Sequence, residues 1–257
     1  MIQLKSKREL DKMRVAGRHV AEVLKELARM AQPGVETRAI DQEARSQIRR
    51  RGLTSSFLGY GPGGAPPFPA VICISINEEI VHGIPGGRKL RQGDLLKLDF
   101  GVIFEGFHGD SAVTLPVGPI PEEAEHLMET TRRSLYAGIE QMRAGRRLGD
   151  VGHAVQEAVE AEGLSVVRDF VGHGIGRQLH EPPQLPNFGR AGRGQRLKPG
   201  MVLAIEPMVN VGGYEIQLKS DGWTAVTADG SRSSHFEHTV AITESGPEIL
   251  TRAPAPN

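Results

Sequence analysis

The chain is 257 residues long and carries 31 basic and 31 acidic residues, for a formal net charge of zero. That length suits one large α/β unit with ample chain for a buried core. The balanced charge supplies no overall field toward nucleic acid or a membrane surface. A single cysteine, Cys73, excludes an intramolecular disulfide and suits a reducing cytoplasm. No stretch reaches the ~20 apolar residues of a membrane span, and the charged residues after Leu4 argue against a cleaved signal peptide.

The first helix is announced by Ser6 with Glu9 three residues on, a capping box, followed by Leu10, Met13, Gly17, Val20, Leu24 and Leu27 at spacings of three or four. Pro33-Gly34 stops it. A second amphipathic helix carries Ile40, Ala44 and Ile48 and ends at Gly52. Residues 59–69, rich in glycine and proline, suit neither a helix nor an inner strand. Strands are predicted over residues 71–76, 94–104 and 107–115, with Glu105-Gly106 as a two-residue hairpin turn. A long helix is predicted from Pro121 as its first residue, with Glu122 and Glu123 at the positive end of the dipole. Another runs from Asp150, as cap, to Gly163. The last third reads as strands at 202–205, 215–218, 223–226 and 238–242, with a long loop over 180–200. A proline-containing tail over 251–257 reads as extended. Helices preceding strands in both halves predict a single α+β domain over 1–257 with antiparallel sheet.

Five potential hard-metal ligands stand in apolar settings: Asp99, Asp110, His173, Glu206 and Glu237. A carboxylate in an inner strand is costly unless its charge is compensated. With Glu105-Gly106 as the turn, Asp110 faces Gly101, and Asp99 lies one diagonal step away on the same sheet face, roughly 7 Å off. Two converging like charges would raise a pKa strongly or repel, and a cation removes the conflict. Four carboxylates balance two divalent ions, and one imidazole completes a shell. Such a set suits Mn, Fe, Co or Zn and not a cysteine-type structural zinc. Taken singly, each residue has a plainer reading. Asp99 could face solvent or sit at a bulge, Glu206 could end a strand in solvent, His173 could occupy a glycine-rich turn, and Glu237 could pair with an arginine. Composition and periodicity do not establish that the five converge.

The motifs, taken together, resemble a known family. Residues 77–85 (Asn-Glu-Glu-Ile-Val-His-Gly-Ile-Pro), Asp99 through Asp110, 172–177 with His180-Glu181, Glu206-Pro207, Asp221-Gly222-Trp223 and Glu237-His238-Thr239 resemble, in order, segments of type I methionine aminopeptidases. The resemblance implies the pseudo-symmetric pita-bread fold, an antiparallel sheet covered by helices. It implies removal of an initiator methionine before a small second residue. It matches Asp110 and Glu237 to bridging carboxylates, Asp99 to a ligand of one metal, and His173 with Glu206 to ligands of the other. Glu206 is the expected proton shuttle, His180 the stabiliser of the oxyanion, and His82 the contact to the scissile nitrogen. Cys73 and Trp223 match pocket positions, although each also suits a plain core role, and Tyr60 and Phe68 border the pocket.

The chain departs from the family pattern in a longer loop at residues 61–67, in Phe57 and Leu179 where a cysteine and a phenylalanine are expected, and in Phe68 in place of a tyrosine. The pocket's shape is therefore open. The resemblance further implies N-terminal Met peptides and nascent chains as partners, and transient ribosome association suits an enzyme acting on nascent chains. The balanced charge and the lack of an apolar span argue for no membrane and no specific nucleic acid, and a chain of this size suits a monomer. The basic stretches 49–51 and 190–198 read as solvated faces. An X-Pro peptidase of the same fold would carry an additional N-terminal domain, for which this chain has no room. A non-catalytic relative used as a peptide-binding module would have lost ligands.

Overall fold

Two helices open the first half, α1 (Lys7–Ala28) and α2 (Thr37–Arg50). They are followed by β1 (Thr54–Ser55), β2 (Cys73–Ile76), β3 (Glu79–Val81), β4 (Leu95–Phe104) and β5 (Phe107–Pro116). The second half repeats the plan with α3 (Glu122–Gln141) and α4 (Leu148–Glu160). Its first strands are β6 (Ser165–Val166), β7 (Gly172–Gly174), β8 (Glu181–Leu185), β9 (Val202–Ile205) and β10 (Met208–Asn210). Then come β11 (Ile216–Leu218), β12 (Ala225–Thr227), β13 (Ser233–His235), β14 (His238–Thr243) and β15 (Gly246–Ile249). The computed structural model describes residues 2–252. Residues 253–257 of the expected tail lie outside the described residues, whereas Thr251 is buried and hydrogen-bonds His238 Nδ1 at 2.9 Å.

Local chemistry sets the boundaries. The capping box forms: Glu9 N donates to Ser6 Oγ, and Ser6 N to Glu9 Oε2. Pro121 takes the N-cap position, one residue earlier than expected. Asp150, expected as a cap, is the third residue of α4. It reaches back to accept from Arg147 N at 2.8 Å, so the helix starts at Leu148. The turn at Glu105 (φ 46°) and Gly106 (φ 80°) has two left-handed residues, which matches the strand twist and pairs Phe104 with Phe107.

In each half a three-strand antiparallel unit lies against a helix pair: β2-β4-β5 behind α1 and α2, and β7-β9-β14 behind α3 and α4. Strand parity then divides the side chains. Ile74, Ile76, Leu96, Leu98, Phe100 and Val102 pack with Val20, Leu24, Leu27 and Ile40 of the first helix pair. Leu203, Ile205, Val240 and Ile242 pack with Leu135, Ile139, Val151 and Val155 of the second. The alternate residues of both sheets face inward, toward the seam between the halves.

The seam is stitched by β5 and β14. Thr239 Oγ1 donates to Asp110 O at 2.7 Å, Glu237 N to Ala112 O at 2.9 Å, and Ser111 Oγ to Glu237 O at 2.5 Å. Lys97, fully buried, adds a tie between segments far apart in the chain, donating from Nζ to Asn77 O and Ser233 O at 2.7 Å each. Short strands absent from the sequence reading (β3, β10, β13 and β15) complete the sheets, and β8 lies within the expected 180–200 loop.

Candidate metal centre and substrate cavity

Parity delivers the acids. On β4, Asp99 alternates with the helix-facing Leu98 and Phe100. Glu206 follows Val202 and Ala204 on β9, and Glu237 precedes Thr239 and Ala241 on β14. Asp110 takes the inward side of β5, opposite Gly101. A Cβ at Gly101 would approach Asp110 Oδ1 to 3.0 Å, so glycine leaves that carboxylate its room. His173 comes from β7. The Gly-His-Gly segment is a strand and not a turn, because Gly172 and Gly174 let it close on its neighbours. A Cβ on either would lie 2.4 Å from a carbonyl oxygen, of Ala204 or of Pro182.

Ligand atoms of Asp110, His173 and Glu237 all lie within 4.8 Å of one another. Glu206 Oε1 is 3.5 Å from His173 Nε2. Asp99 Oδ1, Asp110 Oδ1 and Glu237 Oε1 are buried without a hydrogen-bond partner among the described residues. Burial raises the Asp99 pKa to about 7. It drives Asp110, Glu206 and Glu237 well above the carboxylate range, and mutual repulsion adds to the rise. In contrast, burial and neighbouring His180 lower His173 to about 3, which keeps its imidazole neutral and able to donate a lone pair. Orphaned carboxylate oxygens beside a neutral imidazole are the chemistry a divalent cation satisfies, so the residues fit a metal.

Every residue named from the sequence as a candidate site residue lines one cavity of about 580 Å³. His82 and His180 stand beside the acids. His82 has a left-handed backbone (φ 61°), held between Phe170 and Trp223 with edge-on rings 5.3 and 6.1 Å away. Burial and nearby His180 lower it to about 4. His180 packs 4.1 Å from the His173 ring, and its Nδ1 lies 2.5 Å from Tyr60 Oη. Cys73 pairs directly with Asp99 across β2 and β4, which sets its thiol on the same inner face. Phe68 packs on Trp223, whose Nε1 donates to Pro66 O at 3.0 Å. That bond pins the long loop as a wall of the cavity. Phe57 and Leu179 add apolar lining.

One neighbour was not singled out in the sequence. His235, almost fully buried, has Nε2 3.8 Å from Glu206 Oε2. The signal was available, since it lies two residues before Glu237 and so shares its inward parity.

Comparison with known proteins agrees with this geometry. The model of metallopeptidase family M24 matches residues 11–244, and the chain belongs to that family. Within it, the chain is similar to methionine aminopeptidases. It is 52% identical to that of Clostridium perfringens, over 98% of this chain and 99% of the relative. It is 50% identical to methionine aminopeptidase 1 of Bacillus subtilis, over 98% and 100%. The crystal structure of the Thermotoga maritima methionine aminopeptidase superposes with a TM-score of 0.94 at 45% identity, over 98% of this chain and all of that one. An Xaa-Pro dipeptidase of Bacillus anthracis, 21% identical, shares the fold at a TM-score of 0.76, and the chain covers 62% of it. The expected pita-bread architecture is thus the one present.

Proposed function

We propose that this protein is a methionyl aminopeptidase that removes an N-terminal methionine from peptides and nascent chains, with a preference for a small second residue. The observation that carries this is the convergence of three carboxylate oxygens, partnerless among the described residues, and a neutral imidazole in a cavity whose apolar wall includes Phe57, Phe68, Cys73, Leu179 and Trp223. An apolar wall with a polarizable thiol suits a thioether side chain.

Asp110 and Glu237 would bridge two divalent cations, Asp99 would complete one shell, and His173 with Glu206 the other. Oxygen-rich ligation without thiolate suits Mn, Fe, Co or Zn. Such a cation supplies Lewis acidity for the scissile carbonyl and a water acidified toward neutrality. Around it the chain's own groups divide the work. Glu206, ionised when the cation is bound, takes a proton from the attacking water and passes it to the leaving amine. His180 donates a hydrogen bond to the developing oxyanion, and His82 faces the scissile nitrogen. Unpaired Cys73 supports a reducing cytoplasm as the place of action.

Protein reconstituted with Mn²⁺ or Co²⁺ is expected to release methionine from Met-Ala-Ser and to slow as the second residue grows from alanine to leucine. Faster cleavage of an Ala-Pro peptide than of Met-Ala-Ser would overturn the reading in favour of an X-Pro peptidase.

A further inference from the structure

We propose that the paired loops around residues 142–150 and 188–200 form a surface that binds the phosphodiester backbone of nucleic acid. The first loop carries Arg143, Arg146 and Arg147, and the second Arg190, Arg193, Arg196 and Lys198. Asp150 is the single acid in either stretch, in a chain of net charge zero. All seven cations are exposed except Arg147, which is half-buried.

The two loops are joined by backbone bonds. Gly145 N donates to Leu197 O, Leu197 N to Arg146 O, Leu148 N to Gln195 O, and Gly149 N to Arg193 O, at 2.7–3.0 Å. Arg147 Nη1 reaches Gly194 O at 2.8 Å, and Arg196 Nη1 reaches Gly145 O at 3.0 Å. A Cβ at Gly149 would lie 2.3 Å from Arg190 O, so glycine lets the second loop settle onto the first. The cations are therefore held together on one ordered platform rather than spread along a mobile tail.

The platform concentrates unpaired cations. Many arginines elsewhere have acidic partners, as in Arg14–Glu248, Arg45–Asp41 and Arg132–Glu129, and those without one, such as Arg8, Arg18, Arg49 and Arg91, are not gathered seven together on two bonded loops. Among the described residues none of these seven cations has an acidic partner within 4.0 Å. Unpaired like charges repel one another, and a polyanion relieves that repulsion while releasing its own counterions.

Composition selects the polyanion. Six of the seven cations are arginine, whose planar fork fits phosphate oxygens in a bidentate manner. An acidic protein partner would need an apolar anchor at the centre of its interface, and a membrane surface an apolar face. Among the described residues, the exposed large apolar side chains Leu58, Tyr214 and Leu218 lie outside these loops, and Leu4 touches only the far end of the second, at Gly200. Backbone binding to nucleic acid needs charge alone.

The test uses the full chain, an RNA duplex of about 20 base pairs and a DNA duplex of the same sequence, titrated by fluorescence anisotropy from about 50 to 200 mM salt. Arg146, Arg190, Arg193 and Lys198 donate no side-chain hydrogen bond among the described residues, so R146Q/R190Q/R193Q/K198Q removes charge without cutting the loop–loop bonds. Its unchanged release of methionine from Met-Ala-Ser serves as the folding control. We expect affinity for at least one duplex to fall steeply with salt, and the variant to bind more than tenfold more weakly, its log–log salt slope shallower by about 3.6 for the four charges removed. Tighter binding of either duplex assigns the source as RNA or DNA, and equal binding assigns the shared phosphate chemistry. No binding at the lowest salt, equal binding by the variant, or tighter binding of polyglutamate or phosphatidylserine vesicles than of both duplexes would overturn the proposal.

Discussion

Glu206 stands within 4 Å of both His173 and His235, at the junction of the acid cluster and the apolar cavity. If it carries the proton, Glu206→Gln keeps shape and removes basicity, so kcat should fall by about 10²–10⁴-fold while the fold persists. Steady-state kinetics on Met-Ala-Ser together with circular dichroism would check this, and near-wild-type turnover would reject the role. Tyr60 offers a finer probe. A phenol is a stronger acid than a neutral imidazole N–H, so Tyr60 is the donor in its 2.5 Å contact with His180 Nδ1. The ring proton then resides on Nε2, where it can donate. Tyr60→Phe should lower kcat by about tenfold with little change in KM, and should have no further effect once His180 is alanine. A double-mutant cycle that showed independent, additive losses would mean that Tyr60 acts through the pocket wall instead.

At the level of elements, α1 is seated by glycines. A Cβ at Gly17 would lie 2.4 Å from Leu250 O, and one at Gly109 2.9 Å from Gly17 N. Alanine at position 17 gains about 1 kcal/mol in helix propensity, but overlap with backbone that cannot swing aside costs more, about 1–3 kcal/mol. Gly17→Ala should therefore lower the urea midpoint, and an increase would show that the helix shifts freely. The position was legible but its reason was not, since Gly17 was readable only as one member of an apolar stripe. What was legible follows from length. α1, α2, α3 and the β4–β5 hairpin repeat their pattern often enough to be seen, and the hairpin turn alone set Asp110 opposite Gly101. β10, β13 and β15 span only three or four residues each and take their identity from partners elsewhere in the chain, such as Asn210 against Ser233. β7 was hidden because its glycines signal a turn locally, while only the adjacent β8 and β9 reveal why they must be small. The ligand set lay between these cases. Each acid was visible, but its convergence depends on the β5–β14 seam, which no local pattern encodes.

Across the whole molecule, the seam gathers four carboxylates whose folded pKa values all lie above their unfolded ones. A carboxylate raised in this way binds protons more tightly folded than unfolded. Stability of the metal-stripped protein is therefore lost as pH rises from about 4 through the raised values, at about 1.4 kcal/mol per pH unit for each proton of difference. Buried histidines work in the opposite sense. His82 and His108, lowered to about 4, add stability as pH rises toward 6.5 and nothing beyond it. Lys97, lowered to about 7, adds stability above that value. The histidine terms are complete by pH 6.5, and Lys97, bonded to Asn77 and Ser233 and not shifted by the four acids, contributes alike to both the stripped and the metal-loaded form. In the loaded form the carboxylates are ionised, so the gain in Tm on adding Mn²⁺ to chelated protein should grow between pH 6.5 and 8. Metal binding should also release protons into a weak buffer over the same range. Because His173 is already neutral above about 3, those protons come from the acids. A metal-induced shift in Tm that stays flat with pH, with no proton release, would mean that the four carboxylates are not the groups that receive the cation.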